Sequence, residues 1–179
     1  MAKLTEEKIF SMTEKIVYEK GMEKTTLYDV ARNLGVTHAA LYKHYRNKED
    51  LFQKLALHWL EETSRELFEW ISPVTSTGKQ ALHDWLWILA NTKKKLYHTD
   101  KRMFFLYTDY IEKNGELVED HLQHLAEKAE EVSGWKGEGQ AIITAFIYFH
   151  NPYFANRWSN EEYEALFEKV WRLVSEDKK

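Results

Sequence analysis

TTLYDVARNLGVTHAALYKHYRNK, from Thr25 to Lys48, is the stretch on which the fold turns. Thr26 suits a helix N-cap, because its hydroxyl can accept from an amide that has no partner in the first turn. Asp29, three residues on, places an acid at the positive end of that helix. Val30, Ala31 and Leu34 form an apolar face at helical spacing. Gly35 follows at once, and glycine tolerates the left-handed backbone that ends a helix sharply. Val36 can fill the angle before a second helix, which Thr37 caps and which spans His38–Tyr45. In that helix Ala40, Leu41 and Tyr45 face inward, and Thr37, His38, Ala39, Tyr42 and Lys43 are left outside.

Two short helices joined by a glycine turn can lay the second helix in the major groove of DNA. The outward residues suit this. Thr37 and His38 can exchange hydrogen bonds with base edges, and Ala39 can touch a thymine methyl. The Tyr42 hydroxyl can reach a phosphate beside the positive cluster of Lys43, His44, Arg46 and Lys48. Thr26 and Tyr28, at the start of the preceding helix, join the expected DNA-facing set. Asn47 caps a further helix, whose first amides with Lys48 could clasp another phosphate. A surface hairpin in a plain helical bundle would share the helix–glycine–helix pattern. The small, hydroxyl-bearing start of the second helix and the basic run after it favour DNA.

The segment TTLYDVARNLGVTHAALYKHYRNKEDL resembles the N-terminal DNA-binding region of the TetR family of bacterial transcriptional regulators. Gly21, Thr25, Thr26, Ala31, Gly35, Val36, Leu41, Tyr42, Tyr45, Lys48 and Leu51 fall where that family's pattern has such residues. The resemblance covers roughly the first third of the chain. Tyr28 stands where many members carry a charged residue, and His38 where many carry lysine or another polar residue. The resemblance implies a repressor that binds a palindromic double-stranded DNA operator as a homodimer and is released by a small-molecule effector. It implies no catalytic activity and no cofactor.

Composition agrees once it is divided. The net charge is −4, yet residues 1–50 hold 9 Lys+Arg and 8 Asp+Glu, while the rest holds 16 and 21. Phosphate binding then depends on a local patch. The absence of cysteine excludes disulfides and thiolate metal sites. No apolar run approaches the ~20 residues that cross a bilayer, and MAKLTEEKIF lacks the apolar core of a signal peptide. These features suggest a soluble, cytoplasmic protein.

The whole reads as all-α, about nine helices in all, with a three-helix helix-turn-helix domain over residues 1–47 and a helical ligand-binding and dimerisation domain over 48–179. Thr5 can cap a first helix, Glu6–Lys20, and Lys3 and Thr5 could touch the DNA backbone. Helices are expected near Lys48–Ile71, Lys79–Tyr97, Asp100–Lys113 and Glu116–Val132. One over Gln140–His150 is apolar nearly all round. A last one is announced by a capping box of Ser159 and Glu162. All seven Trp lie in the second part. Trp59, Trp85, Phe104, Tyr107, Tyr110, Phe146 and Phe149 can line an apolar pocket for an effector, or be plain core. Ile142, Phe146, Tyr163, Phe167, Val170, Trp171 and Val174 can pair two copies, or complete one core. His121 and His124, with Asp120 and Glu127 near, leave a helical metal-binding enzyme as an alternative. No Glu-x-x-His occurs, and no Gly-x-Ser-x-Gly elbow or phosphate-binding glycine loop is present. A non-specific DNA architectural protein is a second alternative.

Overall fold

A computed structural model describes residues 4–176; Lys3 lies outside them. The described residues are helical with no strand: ten α-helices and one 3-10 turn. They form two compact units, 1–60 and 61–179.

The first unit holds α1 (Glu6–Lys20), α2 (Leu27–Leu34), α3 (His38–Tyr42) and the first part of α4 (Lys48–Glu69). α2 starts at a complete capping box. Thr26 Oγ1 accepts from the Asp29 amide at 3.2 Å, and Asp29 Oδ2 accepts from the Thr26 amide at 2.9 Å. Lys20 Nζ lies 2.6 Å from the same carboxylate and ties the end of α1 to the start of α2. The lysine and the Thr26 hydroxyl together hold the Asp29 carboxyl down to about 2. At the other end Gly35 is left-handed (φ 68°), and the Val36 amide reaches back to the Ala31 carbonyl at 3.0 Å. That bond pairs a carbonyl the helix would leave open, and it aims α3 away from α2. Ile9, Val17, Val30, Leu41, Tyr45, Leu51, Phe52 and Leu55 are buried at the centre. Each of the aliphatic ones contributes about 1.5–3 kcal/mol by leaving water.

Two local expectations are corrected in this unit. The Thr5 hydroxyl accepts from no amide at the start of α1. α3 ends at Tyr42 and not at Tyr45, and the chain leaves it through a tighter turn in which the His44 amide reaches the Leu41 carbonyl at 2.9 Å.

The second unit contains the end of α4, then α5 (Gly78–Thr99), α6 (Lys101–Glu112), α7 (Gly115–Ser133), α8 (Gly139–Ala145), α9 (Ile147–His150) and α10 (Tyr163–Ser175). α5 packs on α6, α7 and α9, and α7 packs on α8. Gly139 makes the α7–α8 contact possible: a Cβ there would stand 2.2 Å from the Ala126 carbonyl oxygen. The expected single helix over Gln140–His150 breaks at Phe146. His150 Nε2 donates to the Ile143 carbonyl at 3.1 Å across the break. That helix is not buried all round either, since Ala141, Thr144, Ala145 and Ile147 are exposed. A 3-10 turn, Pro152–Arg157, follows, and beyond it Trp158 is fully buried with Nε1 donating to the Tyr148 carbonyl at 2.8 Å. The Ser159–Glu162 box does not form. Ser159 Oγ pairs with His98 Nε2 at 3.2 Å, and α10 begins at Tyr163 without a side-chain cap.

Candidate nucleic-acid interface

The α2–turn–α3 segment presents one continuous polar edge. Thr37, the N-cap of α3, accepts from the Ala40 amide at 3.2 Å and keeps its hydroxyl hydrogen to donate. Thr37, His38, Ala39, Lys43 and His44 are all exposed, as is Thr26. The His38 ring stands edge-on to Tyr42, with centroids 4.6 Å apart, and 6.2 Å from Tyr28. Tyr28 and Tyr42 are 61% and 48% exposed, far more than tyrosines of a packed core. The trio holds His38 upright at the start of α3 without burying it. Behind this edge Leu41 and Tyr45 are sealed, and the Tyr45 hydroxyl donates to Glu6 Oε1 at 3.4 Å. Burial and that carboxylate push the Tyr45 phenol up, so it stays protonated as a brace between α3 and α1.

The basic run divides into two roles. Lys43, His44 and Arg46 are exposed. Lys48 is not free in the same way: its Nζ donates to the Glu23 carbonyl at 2.8 Å and lies 5.4 Å over the Phe52 ring. It locks the start of α4 onto the turn before α2. The Asp50 amide in the first turn of α4 is also engaged, since Asn47 Oδ1 accepts from it, and Asp50 Oδ2 accepts from the Arg46 amide just before the helix, both at 2.8 Å. The sequence marks Asn47 as the cap of this helix, and its Oδ1 bond to the Asp50 amide is that cap; the Lys48 bond to the Glu23 carbonyl was not legible there.

The other candidate residues separate. Trp59 belongs to the first unit. In the second, Trp85 is fully buried and its Nε1 donates to the Leu67 carbonyl at 3.0 Å. Phe104 packs with Tyr97 and Trp158, while Phe146 and Phe149 pack with each other and with Phe167. Tyr107 is buried and Tyr110 half-buried. Phe104 on one side, and Phe146 with Phe149 on the other, thus make their ring contacts in two groups. Ile142, Phe146, Tyr163 and Phe167 are buried within the chain, and Val170, Trp171 and Val174 are half-buried. Trp171 stacks on Trp135, with centroids 6.4 Å apart. The apolar side chains that α9 and α10 leave outside are Ile147, Leu166 and Leu173, the last 76% exposed. Sequence reasoning missed these because buried and outer residues of α10 alternate within one apolar stripe. His121 and His124 both turn edge-on to Phe68, at 6.3 and 6.4 Å. No metal-holding group of three or more His, Cys, Asp or Glu occurs among the described residues.

A capped, glycine-turned helix pair braced by a third helix, at the head of an all-helical chain, defines a helix-turn-helix protein. Residues 9–55 match the model of the bacterial regulatory proteins of the tetR family. The transcriptional regulator TtgR of Pseudomonas putida is 41% identical over 66 residues, which cover 37% of this chain and 31% of that one. The chain thus matches about a third of that relative's length. Over nearly its full length it resembles two solved structures at low identity. The Bacillus subtilis regulator FadR in complex with stearoyl-CoA has a TM-score of 0.57 at 17% identity, covering 95% of this chain and 97% of that one. BioQ with its double-stranded DNA operator has a TM-score of 0.57 at 16% identity, covering 97% and 99%. These two likenesses show the fold. Among the described residues no helix is long and apolar enough to cross a membrane.

Proposed function

We propose that this chain is a ligand-responsive, DNA-binding transcriptional regulator, a repressor acting in the cytoplasm as a homodimer on a palindromic operator. The observation that carries the reading is the exposed edge of α3, where Thr37, His38, Ala39 and Tyr42 stand outward over a sealed core. An unoccupied row of donors, acceptors and a methyl on a short, rigid helix is suited to base edges. Lys43, His44 and Arg46 beside it suit phosphates. BioQ, which shares the fold, is described on its DNA operator.

A helix of five residues reaches few base pairs, so useful specificity needs two copies related by a two-fold axis. The pairing surface is the outer face of α10, Leu166, Val170, Leu173 and Val174, with Ile147 of α9; Ile142, Phe146, Tyr163 and Phe167 support it from behind. The functional division falls at Asn47, where α3's turn gives way to α4. The effector binds better to the dimer whose two heads are spaced wrongly for the operator, and it releases DNA only by that difference in affinity.

Equilibrium binding to duplex enriched from a random pool, with scrambled duplex as competitor, tests the proposal. A regulator keeps its preference for a symmetric site under excess competitor. Equal binding to scrambled duplex would favour an architectural DNA protein, and no binding to any duplex would end the reading.

A further inference from the structure

The start of α3 carries an exposed histidine in contact with two exposed tyrosines, one from each helix of the pair. His38 is the first residue of α3, and Tyr42 follows four places on along the same face. Helical side chains tilt toward the N-terminus, so the Tyr42 ring leans back onto the imidazole. The two rings meet nearly at right angles (88°), with centroids 4.6 Å apart. Tyr28 is the second residue of α2, and its ring stands 6.2 Å from that of His38 at 66°. Both separations lie in the range over which edge-to-face aromatic pairs attract. Although the Tyr28 side chain is exposed, its backbone is fixed. The Thr26–Asp29 capping box closes the turn in which it sits, and its neighbours Leu27 and Val30 are buried. Among the described residues the His38 nitrogens have no hydrogen-bond partner, so the two tyrosine rings are what orients the imidazole.

We infer that Tyr28 is a positioning residue for base choice: its ring, reaching across the turn, fixes the direction of the His38 imidazole, so that α2 shares with α3 the selection of the base His38 meets. An exposed imidazole with Tyr42 alone against it would sample several rotamers, and DNA binding would have to order it. With a ring from each helix against it, the ordering is done when the chain folds, and the ring nitrogens are aimed before DNA arrives. The Tyr28 hydroxyl has no part in this. That separates Tyr28 from a tyrosine that holds a phosphate, which works through its hydroxyl and strengthens every sequence alike. An aimed imidazole strengthens only the sequences that offer it a matching base edge. The inference rests on the regulator reading, because it names what sets the specificity of that same edge.

The test compares the full chain with Tyr28→Phe, Tyr28→Ala, His38→Ala and the double variant Tyr28→Ala/His38→Ala. Each is titrated against every single-base variant of the duplex selected from a random pool. Tyr28→Phe should keep the base preferences of the unaltered chain. Tyr28→Ala should reduce the preference by about three- to tenfold, at the position in each half-site where His38→Ala acts and at no other. The double variant should match His38→Ala alone, because nothing is then left to position. The free chain gives a second reading by nuclear magnetic resonance. The His38 ring-proton signals, assigned by their loss in His38→Ala, should shift in Tyr28→Ala and stay close to their places in Tyr28→Phe. The inference is overturned if Tyr28→Ala weakens all sequences alike, if Tyr28→Phe loses as much as Tyr28→Ala, if the two losses add in the double variant, or if Tyr28→Ala leaves the His38 signals unmoved. Should Tyr28→Ala fold poorly, Tyr28→Leu, which keeps an apolar side chain without a ring, takes its place under the same criteria. A chain that prefers its selected duplex but gives any of these contrary results loses this role alone. One that binds no duplex loses the regulator reading, and this role with it.

Discussion

His150 shows how one buried side chain sets a property of the whole second unit. Burial keeps it neutral in the folded chain and lowers its pKa from 6.5 to about 4, although the Ile143 carbonyl that accepts from its Nε2 offsets part of that shift. The unfolded chain takes up a proton near pH 6.5, while the folded chain resists until about 4. Between those values the unfolded state binds more protons, so stability falls as the pH falls. The loss should be about 1.4 kcal/mol per pH unit at most. Denaturant unfolding from pH 7 to 4 measures it, and His150→Gln, which keeps a donor but cannot ionise, should flatten the slope. A slope unchanged in that variant would assign the loss to other groups. At this scale the sequence was a fair guide outside and a poor one inside. Thr37, His38, Ala39, Tyr42 and Lys43 are exposed where helical spacing put them. Lys48 looked like its basic neighbours, and only the fold brings the Glu23 carbonyl to its ammonium.

At the scale of elements, α2 depends on the reciprocal bonds between Thr26 and Asp29. Thr26→Ala should destabilise the first unit by about 1 kcal/mol, and Thr26→Ser should restore most of it; chemical unfolding of both variants checks this. Gly139→Ala should cost about 1–3 kcal/mol through overpacking, because the Ala126 carbonyl that the new methyl meets is backbone and cannot swing aside. Substituting Gly137, which has open space around it, gives a comparison in which only a left-handed φ of 78° is disturbed. Helix boundaries were legible to a residue or two wherever a local signal marks them, as at Thr26, Gly35 and Asp100. The break at Phe146 was not legible. A bond from His150 to the Ile143 carbonyl spans it, a contact that local propensity does not encode. The Ser159–Glu162 box failed for the converse reason, since His98, 61 residues away, takes the serine.

For the molecule as a whole, the charge division and the outer face of α10 make separate statements. The excess of acid lies after residue 50, so DNA affinity should come from the head and fall steeply with salt. Leu173 is 76% exposed on a helix whose other apolar residues are wholly or partly covered. Leu173→Glu should convert a dimer into a folded monomer, read by sedimentation and by unchanged helical circular dichroism. A dimer that survives the change would move the pairing surface elsewhere. The central claim is that the edge of α3 chooses bases while the neighbouring cations only hold the backbone. The most direct measurement is the binding profile of the unaltered chain, His38→Ala and Lys43→Ala across every single-base variant of the selected operator. His38→Ala should change the preference at one position in each half-site by about 1–3 kcal/mol. Lys43→Ala should weaken all sequences alike. Superimposable profiles for the two variants would contradict the account.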